Sequence, residues 1–234
     1  MEPTAIGGDL IGHARQMLIL ADNITAASSP GGERGHLRIG VIQTALTGLL
    51  PAILVRVRQR RPGVDIHLIP GASSELYAQV NRGELDAAII VKPEFAKPKS
   101  LDWLPLRREH LLLVAPPGSR MTKPMRLLQR EPFIRYDRNN WGGRIVERYL
   151  RRKRVQPREQ FELDSLEAIV IMVSRGLGVS VIPDWPAPWP HGVALEKLIL
   201  EDGPQREIGV IWSRSARRLP VLRSFLNEAG ETGG

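Results

Sequence analysis

The segment between residues 37 and 68 constrains the fold of this chain more than any other part of the sequence. Apolar residues alternate with polar or small residues over positions 37–41, a pattern that is typical of a strand. Apolar residues then recur at helical spacing until Pro62-Gly63 ends the helix, and a second alternating run begins at Val64. A strand–helix–strand unit of this length predicts two parallel strands joined by a right-handed crossover.

The loop after the first strand consists of Gln43, Thr44 and Ala45. It lies at the carboxyl end of a predicted parallel strand, which is where open α/β sheets bind ligands. The next helix is capped by either Thr44 or Thr47, because a threonine hydroxyl is a good N-cap. Pro51 is tolerated in a first helical turn but not in mid-helix, and this favours Thr47 as the cap.

The alternation of helices and strands continues after residue 70. Ser73 or Ser74 is a suitable N-cap for a second helix, and the near-continuous apolar run 85–91 predicts a buried parallel strand. Residues 36–91 therefore form a predicted βαβαβ unit. Lys92 follows the third strand directly, which makes it a candidate for holding a carboxylate, with a solvated loop lysine as the alternative.

A second unit of similar order comes next. Residues 101–106 predict an edge strand and residues 110–115 another buried strand, after which the pattern restarts and predicts an α/β unit over about 117–207. Within it, Asp164 and Glu167 have the spacing of a capping box, for which a purely structural role is the simpler explanation. A role in ligand binding would follow from a position opposite the first-strand loop across a cleft.

Composition narrows the possible functions. Cysteine is absent from the 234 residues, which excludes disulfides, thiolate nucleophiles and cysteine-ligated metals. The net charge of +8 favours an anionic partner, although arginine on solvated helix faces explains the charge more simply. No basic head followed by an apolar segment is visible at the start, and no apolar run approaches the length of a membrane span. These features fit a cytoplasmic protein that has no contact with a membrane.

Patterns that would indicate catalysis or a cofactor are missing. The five histidines show no metal-ligand spacing, and no Gly-x-Ser-x-Gly elbow occurs. Gly176-Leu-Gly178 follows a predicted helix and precedes a strand, which is the reverse of the order in a dinucleotide-binding loop. The sequence therefore predicts a chain that is not an enzyme and that needs no cofactor or metal.

Residues 4–27 form one predicted helix with an apolar seam. The apolar positions succeed one another at spacings of four and three residues: Leu10, Ala14, Met17, Ala21 and Ile24. Such a helix packs on its own domain or pairs with a second copy. Residues 28–35, rich in serine, glycine and proline, detach the helix from the first strand and favour pairing.

Several segments of the chain have a characteristic wording, order and spacing. They are Gly35-His-Leu-Arg-Ile-Gly-Val41, Leu49-Leu-Pro51 with Arg61-Pro-Gly-Val64, Gly83-Glu-Leu-Asp-Ala-Ala-Ile89, His110-Leu-Leu-Leu-Val-Ala-Pro116 and Val173-Ser-Arg-Gly-Leu-Gly-Val-Ser-Val-Ile-Pro183. By these segments the chain resembles the effector-binding half of LysR-type transcriptional regulators over about residues 5–229, and residues 11–18 resemble the end of the family's linker helix.

The resemblance implies two periplasmic-binding-protein-like (type 2) α/β subdomains joined by two crossing strands. A small-molecule effector would bind between the subdomains, and the domains would pair as antiparallel dimers. The family's helix-turn-helix module would precede the linker helix and is missing from this chain, so DNA would be bound only through that module. The implied division is a linker helix and connector at 1–35, a first subdomain at 36–115 plus 209–234, a second subdomain at 116–208, and crossing strands near 110–116 and 207–213.

The family's pocket segments fall on defined positions of this sequence. Where relatives often have a second hydroxyl beside the first-strand loop, this chain has Ala45. Hydroxyls, helix N-termini and Lys92 would suit a small anionic effector, with a carboxylate favoured. The implied effector-binding residues are Gln43, Thr44, Ala45, Ala72, Ser73, Val91 and Lys92 from the first subdomain, and Asn140, Trp141, Asp164 and Ser165 from the second.

Three functions are compatible with such a fold, because a fold does not decide its function. A ligand-sensing regulatory domain is favoured: effector binding would shift the angle between the subdomains and pass the change to a DNA-binding segment in a homodimer or tetramer. A solute-binding protein of a transporter is the alternative, and the lack of a visible signal peptide together with the linker-like helix argues against it. An enzyme on the same scaffold ranks third, because no catalytic constellation is visible.

Overall fold

The computed structural model describes residues 17, 35–119, 124–200, 202–216 and 218–231. Of the predicted helix over residues 4–27 only Met17 is described, so that helix and the connector up to residue 34 lie outside the described residues. From residue 35 onward, the described ranges contain nine strands and seven helices.

The first strand–helix–strand unit has the predicted parallel pairing. Its elements are β1 (Gly35–Val41), α1 (Gln43–Gly48), α2 (Leu50–Arg60) and β2 (Val64–Pro70), and β1 pairs with β2 along its whole length. Pro51 lies in the first turn of α2, where its missing N–H breaks no helical hydrogen bond. Both predicted threonine caps are wrong: α1 begins after Ile42 and α2 after Leu49, so Thr44 and Thr47 lie inside α1.

The βαβαβ unit is completed by α3 (Ser73–Asn81) and β3 (Ala87–Val91), which is buried throughout and pairs in parallel with β1. The predicted serine cap of α3 is wrong, because Ala72 is the N-cap and makes no side-chain bond. The hydroxyl of Ser73 instead accepts a hydrogen bond from the backbone N–H of Val91 at 3.2 Å. Ser73 thus ties the start of α3 to the end of β3.

The two strands predicted over 101–106 and 110–115 are one strand, β4 (Leu101–Ala115). It is continuous because a register shift between Pro105 and Arg107 absorbs the proline, which has no N–H for a ladder. Up to His110, β4 pairs antiparallel with β9 (Gln205–Ser213), which also pairs with β3. Beyond that point β4 pairs with two further strands, so β4 and β9 link two groups of elements.

The second group comprises α4 (Pro124–Arg130), β5 (Pro132–Tyr136), α5 (Trp141–Arg152), β6 (Arg158–Leu163), α6 (Leu166–Ser174), β7 (Ser180–Pro183) and β8 (Glu196–Ile199). Strands β7 and β8 pair with the end of β4, while β5 pairs in parallel with β6 and bridges to residue 179. We call this group the second subdomain. The first subdomain consists of α1–α3, β1–β3 and the final helix α7 (Leu219–Gly230), which packs on α2. The residue limits given above for the two subdomains stay a prediction.

Helix α6 begins one residue later than the predicted capping box requires. Its N-cap is Ser165, whose hydroxyl accepts a hydrogen bond from the N–H of Ala168 at 3.2 Å. The capping box of Asp164 with Glu167 is therefore wrong, because the residue after Asp164 is still extended and places its own hydroxyl over the first turn.

Replacing Ser165 with alanine is expected to lower the free energy of unfolding by about 1 kcal/mol, because an N-cap hydroxyl is lost. Urea denaturation followed by circular dichroism measures the change. Ser174→Ala is the matched control in the same helix: its hydroxyl donates to the carbonyl of Ile171 at the other end, where no orphan N–H is involved. Equal losses in the two variants would contradict the capping role.

Candidate functional site

A cavity of about 390 Å³ opens between the two subdomains. Its first wall is formed where β1 and β3 end and where α1 and α3 begin. Its second wall is formed by the end of β5 and the starts of α5 and α6, and Arg206 of β9 reaches it from the strands that link the subdomains. Carboxyl ends of strands and amino ends of helices therefore meet at one cavity, as they do at ligand sites of α/β proteins.

Seven of the eleven residues predicted from the sequence line this cavity. They come from both subdomains, so the first-strand loop faces the starts of α5 and α6 across the cavity. The seven residues are Gln43, Thr44, Ala72, Ser73, Val91, Asn140 and Asp164.

The other four predicted residues lie outside the lining. Ala45 is buried in the core, and Ser165 caps α6. Lys92 turns toward the neighbouring strand β9, where its Nζ lies 3.0 Å from Oε1 of Glu207. Trp141, at the start of α5, packs into an aromatic cluster beside the cavity.

This aromatic cluster links the two subdomains. The ring centroids of Tyr77 on α3, Phe95 in the loop after β3 and Trp141 lie 5.4–5.6 Å apart in edge-to-face arrangements. Next to Phe95, the carboxylate of Glu94 forms an ion pair with the guanidinium of Arg148 on α5. These contacts hold α5 against the first subdomain at one side of the cavity.

Arg206 is the residue of the cavity that the sequence patterns missed most clearly. Its guanidinium is almost fully buried, with Nε 2.7 Å from Oε2 of Glu109. Nη2 donates to the hydroxyl of Thr44 at 3.1 Å. Arg206 and Glu109 are direct cross-strand partners on β9 and β4, and only this register brings together two residues 97 positions apart.

Burial sets the protonation of the groups near Arg206. Desolvation raises the pKa of Glu109 although the guanidinium of Arg206 acts in the opposite direction. Desolvation also raises the pKa of Tyr136, the last residue of β5, again against the influence of Arg206. The phenol of Tyr136 therefore stays neutral and keeps its proton for donation to a ligand.

Three buried hydroxyl groups line the cavity. The oxygen of each one either accepts a hydrogen bond from the protein or lies beside the guanidinium of Arg206. Thr44 accepts from Arg206, Ser73 accepts from the N–H of Val91, and Tyr136 lies beside Arg206. Each of the three side chains belongs to a residue that is more than nine-tenths buried. Among the described residues, none of these hydroxyl protons has a hydrogen-bond acceptor, so all three are free to donate to a bound molecule.

The backbone adds further donors. The caps or first turns of α1, α3 and α5 line the cavity, and none of these three helices has a side-chain cap. The N–H groups of a first helical turn have no intrahelical partner, and the helix dipole adds positive potential there. The absence of Ser or Thr caps thus leaves backbone donors open toward the cavity.

Other kinds of site find no support in the described part of the chain. Within the described ranges, His, Asp and Glu side chains nowhere form a group of three that could hold a metal ion. Each described helix is too short or too polar to cross a lipid bilayer.

Two α/β subdomains, two linking strands and a donor-rich cavity between them define a two-lobed ligand-binding domain. Residues 30–233 match the model of the LysR substrate binding domain, and the chain belongs to this family. The resemblance noted in the sequence is thereby confirmed.

Individual relatives agree with this assignment. The probable HTH-type transcriptional regulator LrrA of Synechococcus elongatus is 28% identical over 236 residues, which cover 98% of this chain and 78% of LrrA. A hydrogen-peroxide-bound OxyR mutant of Corynebacterium glutamicum superposes with a TM-score of 0.72 at 21% identity, covering 98% of this chain and 74% of that one.

The effector-binding domain of QuiR in complex with shikimate superposes with a TM-score of 0.71 at 18% identity, covering 86% of this chain and 97% of that one. At such identities the structural likeness concerns the fold. It confirms the predicted architecture of two periplasmic-binding-protein-like α/β subdomains joined by two crossing strands.

Proposed function

We propose that this chain is the ligand-sensing regulatory domain of a LysR-type transcriptional regulator, and that it binds a small anionic effector, with a carboxylate favoured, in the cavity. The observation that carries the proposal is the convergence of the uncapped N-termini of α3 and α5, three buried hydroxyls and Arg206 at one cavity. All of these groups donate hydrogen bonds. A carboxylate only accepts them and therefore matches these donor groups.

The electrostatics support the same ligand class. Each uncapped helix start favours a negative charge by about 0.3–1 kcal/mol near the surface, and more in a partly buried position. Hydrogen bonds to a charged group contribute about 1.5–3 kcal/mol each when they replace water. A cavity of about 390 Å³ is at the small end of the range for ligand sites, so the proposed effector is a small molecule.

The proposed signal is a change of the angle between the subdomains. An effector that contacts both walls of the cavity stabilises the angle at which both sets of contacts form. Strands β4 and β9 join the subdomains, and Arg206 on β9 lines the cavity, so effector contact and hinge share one strand. In the proposed regulator a helix-turn-helix domain contacts DNA in the cytoplasm, and the effector-binding domain formed by this chain passes the signal to that helix-turn-helix domain.

The relatives bear the names of regulators rather than of enzymes, which supports a non-catalytic role.

Replacing Tyr136 with phenylalanine tests the site. The variant loses one buried donor and is expected to bind a carboxylate effector about tenfold or more weakly, because a hydrogen bond to a charged group is lost. Thermal-shift screening of the wild type against mono- and dicarboxylates finds the ligand, and calorimetry compares the affinities.

Tyr149→Phe is the matched control, because Tyr149 is buried on α5 outside the cavity lining. Lys92→Ala tests whether Lys92 holds the carboxylate of the effector. Because Lys92 forms an ion pair with Glu207, we expect the variant to bind the effector with unchanged affinity. The proposal fails if no carboxylate binds the wild type, or if Tyr136→Phe and Tyr149→Phe bind it equally well.

Pairing of two copies is the second part of the proposal. We infer a homodimer or a tetramer from the apolar seam at 10–24 in the sequence and from family membership. Sedimentation equilibrium measures the mass. A monomer at all concentrations would contradict this part of the proposal and leave the effector site unaffected.

A further inference from the structure

The rim of the cavity has a charge pattern opposite to that of its floor. The carboxylates of Glu75, Asp164 and Glu167 line the cavity, the first from α3 and the other two from the start of α6. Glu75 and Asp164 are exposed and Glu167 is half-buried, whereas the hydroxyl-bearing residues Thr44 and Ser73 are buried. Acceptors therefore surround the mouth, and donors lie at the floor.

No cation of the protein balances these carboxylates. Within the described ranges, none of the three forms an ion pair or accepts a side-chain hydrogen bond. Arg206 is the one Lys or Arg in the described lining, and its guanidinium is already paired with Glu109. A ligand whose only charge is a carboxylate would bind near three negative charges. Each of these like charges raises the free energy of the bound state.

Structural roles explain only part of this pattern. Glu75 and Glu167 lie in first helical turns, where a negative charge stabilises the helix dipole. Asp164 precedes the cap of α6 and has no such role, since Ser165 already satisfies the first turn. Two of the acids come from one subdomain and one from the other, so the negative potential at the rim has contributions from both walls of the cavity.

We propose that the effector is zwitterionic: its carboxylate binds the hydroxyls and helix N-termini at the floor, and an ammonium group of the same molecule lies in the negative potential of Glu75, Asp164 and Glu167 at the rim and pairs with the nearest of these carboxylates. This inference rests on the proposed function and names the ligand class of the same cavity. The ligand class is that of small α-, β- or γ-amino acids, whose two charges match the two ends of the cavity.

Matched sets of three small molecules test this inference. Each set contains an amino acid, the acid with hydrogen in place of its ammonium group, and the amine with hydrogen in place of its carboxylate. Calorimetry on the wild type is expected to show at least one amino acid that binds at least about tenfold more tightly than either partner of its set.

A variant without the negative charges of the rim tests whether these charges bind the ammonium group. Glu75→Gln/Asp164→Asn/Glu167→Gln keeps the shape of the rim and removes its charge. In this variant the advantage of the amino acid over the deaminated acid is expected to fall to less than about threefold, while affinity for the deaminated acid rises. Circular dichroism verifies that the variant is folded.

The outcomes separate the two proposals. If deaminated acids bind the wild type as tightly as the amino acids do, or if the rim variant keeps the full advantage, the zwitterion inference is wrong and the carboxylate site stands. If neither amino acids nor deaminated acids bind, both proposals fail. If only the amines bind, the floor is not an anion site, and both are overturned.

Discussion

Arg206→Met is expected to lower the free energy of unfolding by about 3–5 kcal/mol, because it leaves the buried carboxylate of Glu109 without its counter-charge. The side chains of Arg206 and Glu109 are only 2% and 1% exposed, so water replaces little of the lost interaction. Methionine is close to arginine in length and leaves no large void. Urea denaturation of wild type and variant measures the difference.

A double variant separates the ion pair from packing. Arg206→Met/Glu109→Leu removes both charges and is expected to recover most of the stability, since an apolar pair often replaces a buried ion pair at little cost. If the double variant is no more stable than Arg206→Met alone, the loss comes from packing and the ion-pair explanation is wrong.

The loss in Arg206→Met also has a predicted pH dependence. Burial raises the pKa of Glu109 above its value in the unfolded chain, and the guanidinium of Arg206 acts in the opposite direction. Arg206→Met removes the influence that lowers this pKa, so the pKa of Glu109 rises further in the variant, and at lower pH its carboxyl is protonated and needs no counter-charge. The loss caused by the variant is therefore expected to be smaller near about pH 5 than near about pH 8. Repeating the denaturation at both pH values checks the sign.

The order of strands and helices was predictable from the sequence, because the spacing of apolar residues along the chain shows which side of each element is buried. The all-apolar run 87–91 is a strand buried on both faces, and the alternating run of β1 pairs with β2 as predicted. The two strand predictions over 101–115 differ from the single observed strand. Pro105 interrupts the local pattern, but pairing with β9 carries the strand through it.

The helix caps were not predictable from local sequence, because distant groups engage the hydroxyls. Thr44 was a suitable cap by composition, but its hydroxyl accepts from Arg206, 162 residues away. The hydroxyl of Ser73 is likewise engaged by the N–H of Val91. A capping hydroxyl is worth about 1 kcal/mol, a contribution that tertiary partners of similar strength can replace.

The cavity was partly predictable from one rule, that ligand sites form at the carboxyl ends of parallel strands. The rule places the loop after β1 and the end of β3 at the cavity, and applied to β5 it would also have found Tyr136. It could not find Arg206, because that residue reaches the cavity through the register of an antiparallel pair. It also could not show that Lys92 turns away, since its partner Glu207 belongs to a strand 115 residues further along the chain.

The start of α5 leaves no room for a side chain at position 143. A Cβ on Gly143 would lie 2.6 Å from the carbonyl carbon of Asp137 and 2.9 Å from the carbonyl oxygen of Tyr136. Both neighbours are backbone atoms, so no rotamer change relieves the clash. Gly143→Ala is therefore expected to cost about 3 kcal/mol, the upper end of the usual cost of overpacking.

The same variant should also weaken effector binding, because relief of the clash moves the start of α5, and with it Asn140, away from the cavity. Urea denaturation and calorimetry with the effector found by the carboxylate screen measure the two losses. Gly142→Ala is the first comparison: the nearest atoms to its Cβ would belong to the side chain of Tyr136, at 2.7 Å, so the hydroxyl shifts and affinity falls with a smaller loss of stability.

Gly230→Ala is the second comparison, and it predicts the opposite sign for stability. At the end of α7 a Cβ meets only Leu104, at 3.9 Å, and replacing a helical glycine with alanine gains up to about 1 kcal/mol. The three alanine variants therefore differ in what the new methyl group touches: backbone atoms, an aromatic side chain or one side-chain atom at van der Waals distance. If Gly143→Ala unfolds at the wild-type urea concentration and binds the effector normally, α5 does not start against Asp137, and the second wall of the cavity is wrongly placed.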